Sequence, residues 1–502
     1  MSHVRKQSIV STVFVYAGFV IGFVNTYLFT REGSFFTPSE YGLTIIFIAV
    51  GNMMYAFANL GMVSVIYKFY PYYDDNLPKK NNDLLTWVLV VSMIGFVFVI
   101  LAGIVFKDLV IRKFGSNSPE LVQYYFWIFP FGFSLLLFSI LEVFAWNMGK
   151  SIFTTFLREF FFRAVILALI FVASFHIIDD FDSFIKLYAF SYGVVALVLL
   201  VYLIYKKEFY ITFTISRVTK RFYKKIATMA SLVYVGSTIF TIAMFIDNII
   251  IASLLGTDSV AIFGFAFVIS GLVQAPQRGA VAASIPVLSR AWKSKDYEKI
   301  NLIYQRSGIN LLIVSLGIFL VIWLNYVDAV QTFKLKPAYI ESVWIFFFLG
   351  IARVIDLGTG VNSQIIGTSV FWRFEFISGM ILLSLAVPLN YYLVKHYGVI
   401  GAGYSAVISY SVYNTIRILF LKRKFNMHPF SKKTIYVVLW AFFIYGVCYF
   451  SFINMHGIIA MILRSVVFIA LYVAAIVYFD LTPDILSVWV NMKSRVLKQK
   501  DK

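Results

Sequence analysis

Residues 41–61 read YGLTIIFIAVGNMMYAFANLG, and residues 260–280, 219 positions later, read VAIFGFAFVISGLVQAPQRGA. Both are long apolar runs of the kind that crosses about 30 Å of hydrocarbon at about 1.5 Å per residue. The relation recurs along the chain. Leu84, Leu121, Ile152 and Phe184, each at the start of an apolar span, find counterparts near Arg306, Ala338, Phe371 and Gly401, at offsets of 222, 217, 219 and 217. A shift that steady across unequal loops predicts a duplicated chain. Each copy holds six helices, an even number, so both insert the same way up as parallel repeats about an axis along the membrane normal, an arrangement found mainly in transporters.

Composition agrees. Hydrophobic residues make up 61% of the chain and charged residues 13%, with a mean hydropathy of +0.84; no soluble core hides that much apolar surface. The expected fold is an all-α polytopic membrane protein of about fourteen spans: 9–29, 41–67, 84–106, 121–146, 152–175, 184–205, 225–251, 259–287, 304–327, 338–361, 371–394, 398–420, 433–453 and 457–479. The first lacks a small-residue cleavage site and reads as a retained helix. The domains expected are an N-lobe over 1–206, a basic linker over 207–224, a C-lobe over 225–424, an extra helical pair within 425–480, and a basic tail over 481–502. In the tail, Ile485, Val488, Trp489, Met492 and Val496 have the spacing of a short interfacial amphipathic helix. No loop is long enough for a soluble domain.

The net charge of +19 sorts by side. With the N-terminus inside, cytoplasmic segments hold 29 of the 43 Lys and Arg, external segments 8, and spans the other 6. This places both termini in the cytoplasm of a bacterial inner membrane protein, and reads the basic excess as topology rather than nucleic-acid binding. Anionic lipid headgroups at the inner leaflet are the other expected beneficiary. Cys448 is the only cysteine, so no disulfide forms within the chain, and the five histidines are not at ligand spacing; no metal or cofactor is expected.

Ionisable residues in hydrocarbon cost roughly 2.5–3.5 kcal/mol each on insertion scales and usually face a wet cavity or a partner. Glu142, Arg158, Arg163, Arg278 and Arg353 fall in the cytoplasmic half or near the midplane; Arg31, Asp247 and Arg464 fall toward the outside. Arg278 is the leading candidate. It follows Gln274, Pro276 and Gln277 in a span that the proline is expected to break, between Gly271 and Gly279. Arg163, Arg353 and Arg31 complete a cationic cavity set with Gln274. Arg353 and Asp356, three apart, are either a mutually neutralising pair or an anion site. Arg158 is expected to meet Glu142 across the turn at 147–150, Arg163 has no evident local partner, and Arg417 and Lys68 lie near cytoplasmic ends where they can snorkel. Asp247 and Asn248 are candidates for ion coupling, with pairing of Asp247 to Arg464 as the competing expectation. Gly18, Gly22 and Asn25 share a face of span one, and the offset carries the glycines onto Ser237 and Thr241. These small and polar faces are read as the place where the lobes meet or as a cavity wall.

Three stretches carry a family likeness: Thr37-Pro-Ser-Glu-Tyr-Gly-Leu43, echoed by Leu255-Gly-Thr-Asp-Ser-Val260; Gly61-Met-Val-Ser-Val-Ile-Tyr-Lys-Phe-Tyr-Pro71; and Ile285-Pro-Val-Leu-Ser-Arg290 with the basic segment to Lys299. In order and position they resemble the multidrug/oligosaccharidyl-lipid/polysaccharide exporter superfamily, particularly Wzx-type polysaccharide flippases. The resemblance implies two lobes in a V, alternating access, no catalytic residue, and a substrate such as an undecaprenyl-pyrophosphate-linked oligosaccharide moved to the outer leaflet. Membrane lipids and other polysaccharide-assembly proteins are the implied partners. A pyrophosphate in low dielectric wants fixed arginines. Competing readings are a multidrug and toxin extrusion antiporter, a peptidoglycan lipid II flippase and, less favoured for want of a long external loop, a polysaccharide polymerase or ligase.

Overall fold

The computed structural model describes residues 3–482; the basic tail and its expected amphipathic helix lie outside the described residues. The chain divides into two compact units, Met1–Ile262 and Phe263–Lys502. The first contains α1 (His3–Thr30), α2 (Pro38–Ala58), α3 (Met62–Asp74), α4 (Leu84–Val105), α5 (Lys107–Phe114), α6 (Pro119–Gln123), α7 (Ile128–Asn147), α8 (Ser151–Thr155), α9 (Phe162–Ser174), α10 (Phe181–Ala189), α11 (Ser191–Tyr205) and α12 (Arg217–Leu254). The boundary falls inside α13 (Thr257–Lys293), followed by α14 (Tyr297–Thr332), α15 (Ser342–Gly358), α16 (Asn362–Thr368), α17 (Trp372–Tyr397), α18 (Ile400–Phe425), α19 (Lys432–Ser451) and α20 (Ile458–Tyr478). The protein is all-helical, and twelve stretches among the described residues are long and apolar enough to cross a membrane.

Two of the fourteen expected spans are not among those twelve, each for a physical reason. Span 152–175 is interrupted: α8 gives way to a π-helical turn over Phe156–Phe161 before α9 resumes. Span 398–420 is the continuous helix α18, but it carries Ser405, Ser409, Asn414 and Arg417 on its buried surface. The opposite difference occurs at Pro276, where the expected break is absent; α13 runs unbroken through Pro276 and Pro286.

The motif at 37–43 acts through local chemistry. Thr37 caps α2, its hydroxyl accepting from the Glu40 amide at 3.2 Å while Glu40 accepts from the Thr37 amide at 2.7 Å, with Pro38 opening the helix. The same turn docks on its echo. Ser39 Oγ lies 2.6 Å from Thr257 Oγ1, which also donates to Glu120 at 3.0 Å, and Gly42 packs directly on the Thr257 carbonyl where a Cβ would collide. Gly61, at φ +76°, breaks α2 from α3 with its amide held by Asn59 at 2.8 Å, and its missing Cβ admits the Ala230 backbone of α12. Thr238 donates to the Ala56 carbonyl at 3.2 Å. Span seven, the first helix of the expected C-lobe, therefore packs on α2 and α3 in the first unit.

In the second unit, α18 packs between α15 and α17, and α14 packs on α15 and on the α19–α20 hairpin. The hairpin is tied to α14 by Asn325 donating to Ser465 at 3.0 Å and Tyr472 to the Ile313 carbonyl at 3.1 Å. A Gly42→Val protein is expected to melt several degrees lower in detergent. Gly446→Ala, whose Cβ meets nothing within 4 Å, should hold or gain about 0.5–1 kcal/mol as a helix-interior glycine is removed. Thermal melts followed by size-exclusion chromatography check both.

Candidate functional site

In the first unit the polar chemistry gathers on the π-turn. The ion pair anticipated across the turn at 147–150 forms: Arg158 reaches Glu142, which is 1% exposed on α7. The guanidinium also lies over the Phe138 ring at 5.6 Å. One Glu142 oxygen, Oε1, is buried without a hydrogen bond. Arg163 is not the isolated cation that its sequence neighbourhood indicated. One turn back, Glu159 pairs with it at 3.2 Å and offers its carbonyl at 2.9 Å, a geometry open to i and i+4 but not to adjacent residues.

The small face of span one is explained by this arginine. A Cβ at Gly18 would meet Arg163 Nη1 at 2.6 Å and one at Gly22 its Nε at 3.3 Å, while Asn25 donates to the Arg163 carbonyl at 3.0 Å. Gly18, Gly22 and Asn25 thus pack on α9 and its π-turn inside their own unit. Ser237 and Thr241 spend their hydroxyls on their own helix, at 3.1 Å to the Tyr234 carbonyl and 2.9 Å to that of Ser237. Asp247 and Asn248 are half-buried on α12, and Arg31 is half-buried at the end of α1, its Nε buried without a hydrogen-bond partner.

The second unit holds a continuous polar network that joins α13, α15, α16, α17 and α18. Gln274 donates to Gln277 at 3.0 Å and Gln277 to Asp356 at 3.4 Å. Asp356 accepts from Asn414 at 3.0 Å, and Asn414 in turn accepts from Thr359 at 2.8 Å and Asn362 at 2.9 Å. Arg417 donates to Asn362 at 3.3 Å and Ser378 at 3.2 Å, pairs with Glu375, and stacks on Tyr413 at 3.8 Å. Ser363 adds a bond to Glu375 at 2.6 Å.

Arg417 is therefore 2% exposed and fully engaged, not snorkelling. Sequence spacing held the signal: Tyr410, Asn414 and Arg417, four and three apart, share a helix face. Asp356 is committed to this network, and Arg353 turns elsewhere. Its guanidinium contacts Tyr410 Oη at 3.3 Å and lies 5.5 Å from the Phe267 ring and 5.6 Å from that of Tyr410. The two side chains of that pair take different hydrogen-bond partners. Arg278 sits on an exposed part of α13 and Gln274 on a half-buried one.

Arg464 pairs with Asp328 of α14, and Asp328 also meets His456 at 2.9 Å. Asp328 lies one residue beyond the span expected at 304–327, in the last turns of α14. Among the described residues no group of three or more His, Cys, Asp or Glu could hold a metal ion.

The described residues form an all-helical membrane protein with polar networks buried inside each unit. Residues 233–351 match the MatE family model. The structure is similar to the lipid II flippase MurJ in an inward closed conformation, with a TM-score of 0.70 at 15% identity over 94% of this chain and 99% of that one. It is also similar to an inward-facing multidrug resistance MATE transporter, with a TM-score of 0.60 at 18% identity over 83% of this chain and 98% of that one. No curated protein matches in sequence. The fold is the one expected from the motifs, shared with both of these transporters, and it does not single out the Wzx type.

Replacing Arg417 with Met leaves Glu375 with its Ser363 hydrogen bond and without its cation. The single variant should lose about 3–5 kcal/mol if the site behaves as a dry buried pair. The double variant E375Q/R417M should recover part of that loss. A double-mutant cycle on thermal stability measures the coupling, expected at about 0.5–3 kcal/mol.

Proposed function

We propose that this protein is a flippase that moves an undecaprenyl-pyrophosphate-linked oligosaccharide from the cytoplasmic to the outer leaflet by alternating access, driven by an ion gradient. The observation that carries the reading is Arg353. It is half-buried, its side chain is aimed by a phenol and flanked by two aromatic rings, and the nearby carboxylate Asp356 is spent on Gln277 and Asn414. A guanidinium held that way keeps its positive charge for a pyrophosphate, and the flanking rings suit sugar faces. Arg278, Arg163, Arg31 and Gln274 are proposed to line the same route, with Arg163 weakened by Glu159. Asp247 and Asn248 are proposed for ion coupling.

The reach of the flippase likeness adds support. It extends over 94% of the chain, against 83% for the multidrug transporter, which favours a protein that keeps helices past the twelve of the duplicated core. The proposed lobes remain 1–206 and 225–424, with the hairpin at 425–480 serving substrate or partner choice. Lipid II flipping is the variant of this proposal that the MurJ likeness favours. A second reading, a multidrug antiporter, draws on the MatE match over 233–351. It calls for acidic groups open to a cationic drug, whereas Glu142, Glu159, Asp328 and Glu375 are all engaged by arginines.

In a strain whose surface glycan depends on this protein, Arg353→Ala should reduce export about tenfold or more at matched expression, the worth of one charge-assisted contact. Arg353→Lys should restore part of it, and Arg278→Ala should act in the same direction. Full export by both alanine variants would remove the anionic-substrate reading.

A further inference from the structure

We infer that residues 205–225 form a docking surface for anionic phospholipid, in which an apolar strap enters the leaflet and a cationic helix face holds the phosphates. Between α11 and α12, residues 208–216 form no helix. Two hydrogen bonds fix the strap to the protein: Thr212 donates its amide to Thr86 Oγ1 at 3.0 Å, and Ser216 its amide to Asp83 Oδ2 at 2.9 Å. Asp83 is fully buried and also accepts from Thr219 at 2.7 Å and from Trp87 at 3.1 Å. With the chain pinned at these points, the alternate residues Ile211, Phe213 and Ile215 face outward, 53%, 70% and 52% exposed. Three large apolar side chains in a row are costly in water and fit an acyl boundary.

The charge beside them is one-sided. Arg217, Lys220, Arg221, Lys224 and Lys225 follow at spacings of 3, 1, 3 and 1, which places all five on a single face of α12. The opposite face is spent on packing, with Val218 buried, Thr219 bonded to Tyr73 at 2.8 Å, and Phe222 against Phe69 and Tyr72. Lys206 and Lys207 extend the cationic surface on the other side of the strap. Glu208, the single acid between 206 and 225, is neutralised by Lys79 at 2.8 Å. A cationic stripe next to exposed apolar side chains is complementary to a negatively charged membrane surface, and the apolar strap distinguishes that surface from a soluble phosphate. At 38 residues, or about 57 Å, α12 is far longer than about 30 Å of hydrocarbon, so its first turns are free to lie at the headgroups. The strap's anchors reach the same turns, so lipid binding sets the footing of α12.

The chain's single cysteine makes the test direct. In a Cys448→Ala background, a nitroxide placed through Phe213→Cys is read for accessibility to oxygen and to a water-soluble nickel complex, in vesicles of phosphatidylcholine with and without phosphatidylglycerol. The expected result is a label reached by oxygen and shielded from nickel, with the shielding dependent on phosphatidylglycerol. Each of Lys220→Gln and Lys224→Gln should weaken that dependence about fivefold. Nickel access that does not change with lipid charge would overturn the inference, as would shielding from both reagents, which would indicate a protein covering the strap. The lipid titration with the unaltered basic residues keeps the test valid if a charge variant misfolds. It requires no glycan substrate, so its failure is distinct from failure of the flippase reading.

Discussion

The pairing of a membrane-embedded arginine with a carboxylate from a separate segment is the interaction on which the rest of this structure depends. It occurs as Arg158 with Glu142, Arg417 with Glu375, and Arg464 with Asp328. In hydrocarbon a lone charge is expensive, and a pair whose partner is removed leaves the other charge stranded. Each pair therefore fixes the register of the helices that bear it. The first joins α7 to the π-turn, the second α17 to α18, and the third fastens the terminal hairpin to α14.

The pairs also determine which charges are engaged inside the protein. Carboxylates taken up by arginines are poor sites for a cationic drug, and arginines taken up by carboxylates are poor sites for a phosphate. Asp356 accepts from the Gln277 and Asn414 side chains, while the Arg353 guanidinium meets Tyr410 and Phe267. The polar network thereby holds Asp356 while Arg353 lies against aromatic surface. The same logic operates at Asp83, where a buried carboxylate spent on the linker leaves the basic face of α12 without a counter-charge from it.

Much of this was legible in the sequence. Apolar length indicates the helices and the short turn at 147–150 brings Arg158 to Glu142, whereas α2 starts at Pro38, ahead of the apolar span at 41, because Thr37 and Glu40 cap it. What counting residues cannot supply is azimuth: depth along a helix says nothing about which neighbour a side chain faces. Depth alone puts Arg417 near a membrane surface, whereas its side chain points inward to Asn362 of α16 and to Glu375 and Ser378 of α17. The small face of span one was legible as a close contact, but its partner, Arg163, became evident only with the π-turn, whose register no apolar pattern predicts. Pro276 was read as a break because proline removes a donor, yet α13 continues through it.

Transport of a lipid-linked glycan by the purified protein tests the central claim most directly. The protein is reconstituted into vesicles bearing an undecaprenyl-pyrophosphate-linked oligosaccharide and an imposed ion gradient, and the fraction of glycan exposed to an impermeant glycosidase is followed over time. The protected fraction is expected to fall only in protein-containing vesicles, and faster with the gradient than without it. A protected fraction that stays constant, in vesicles where the same protein exchanges an organic cation for ions, would contradict it.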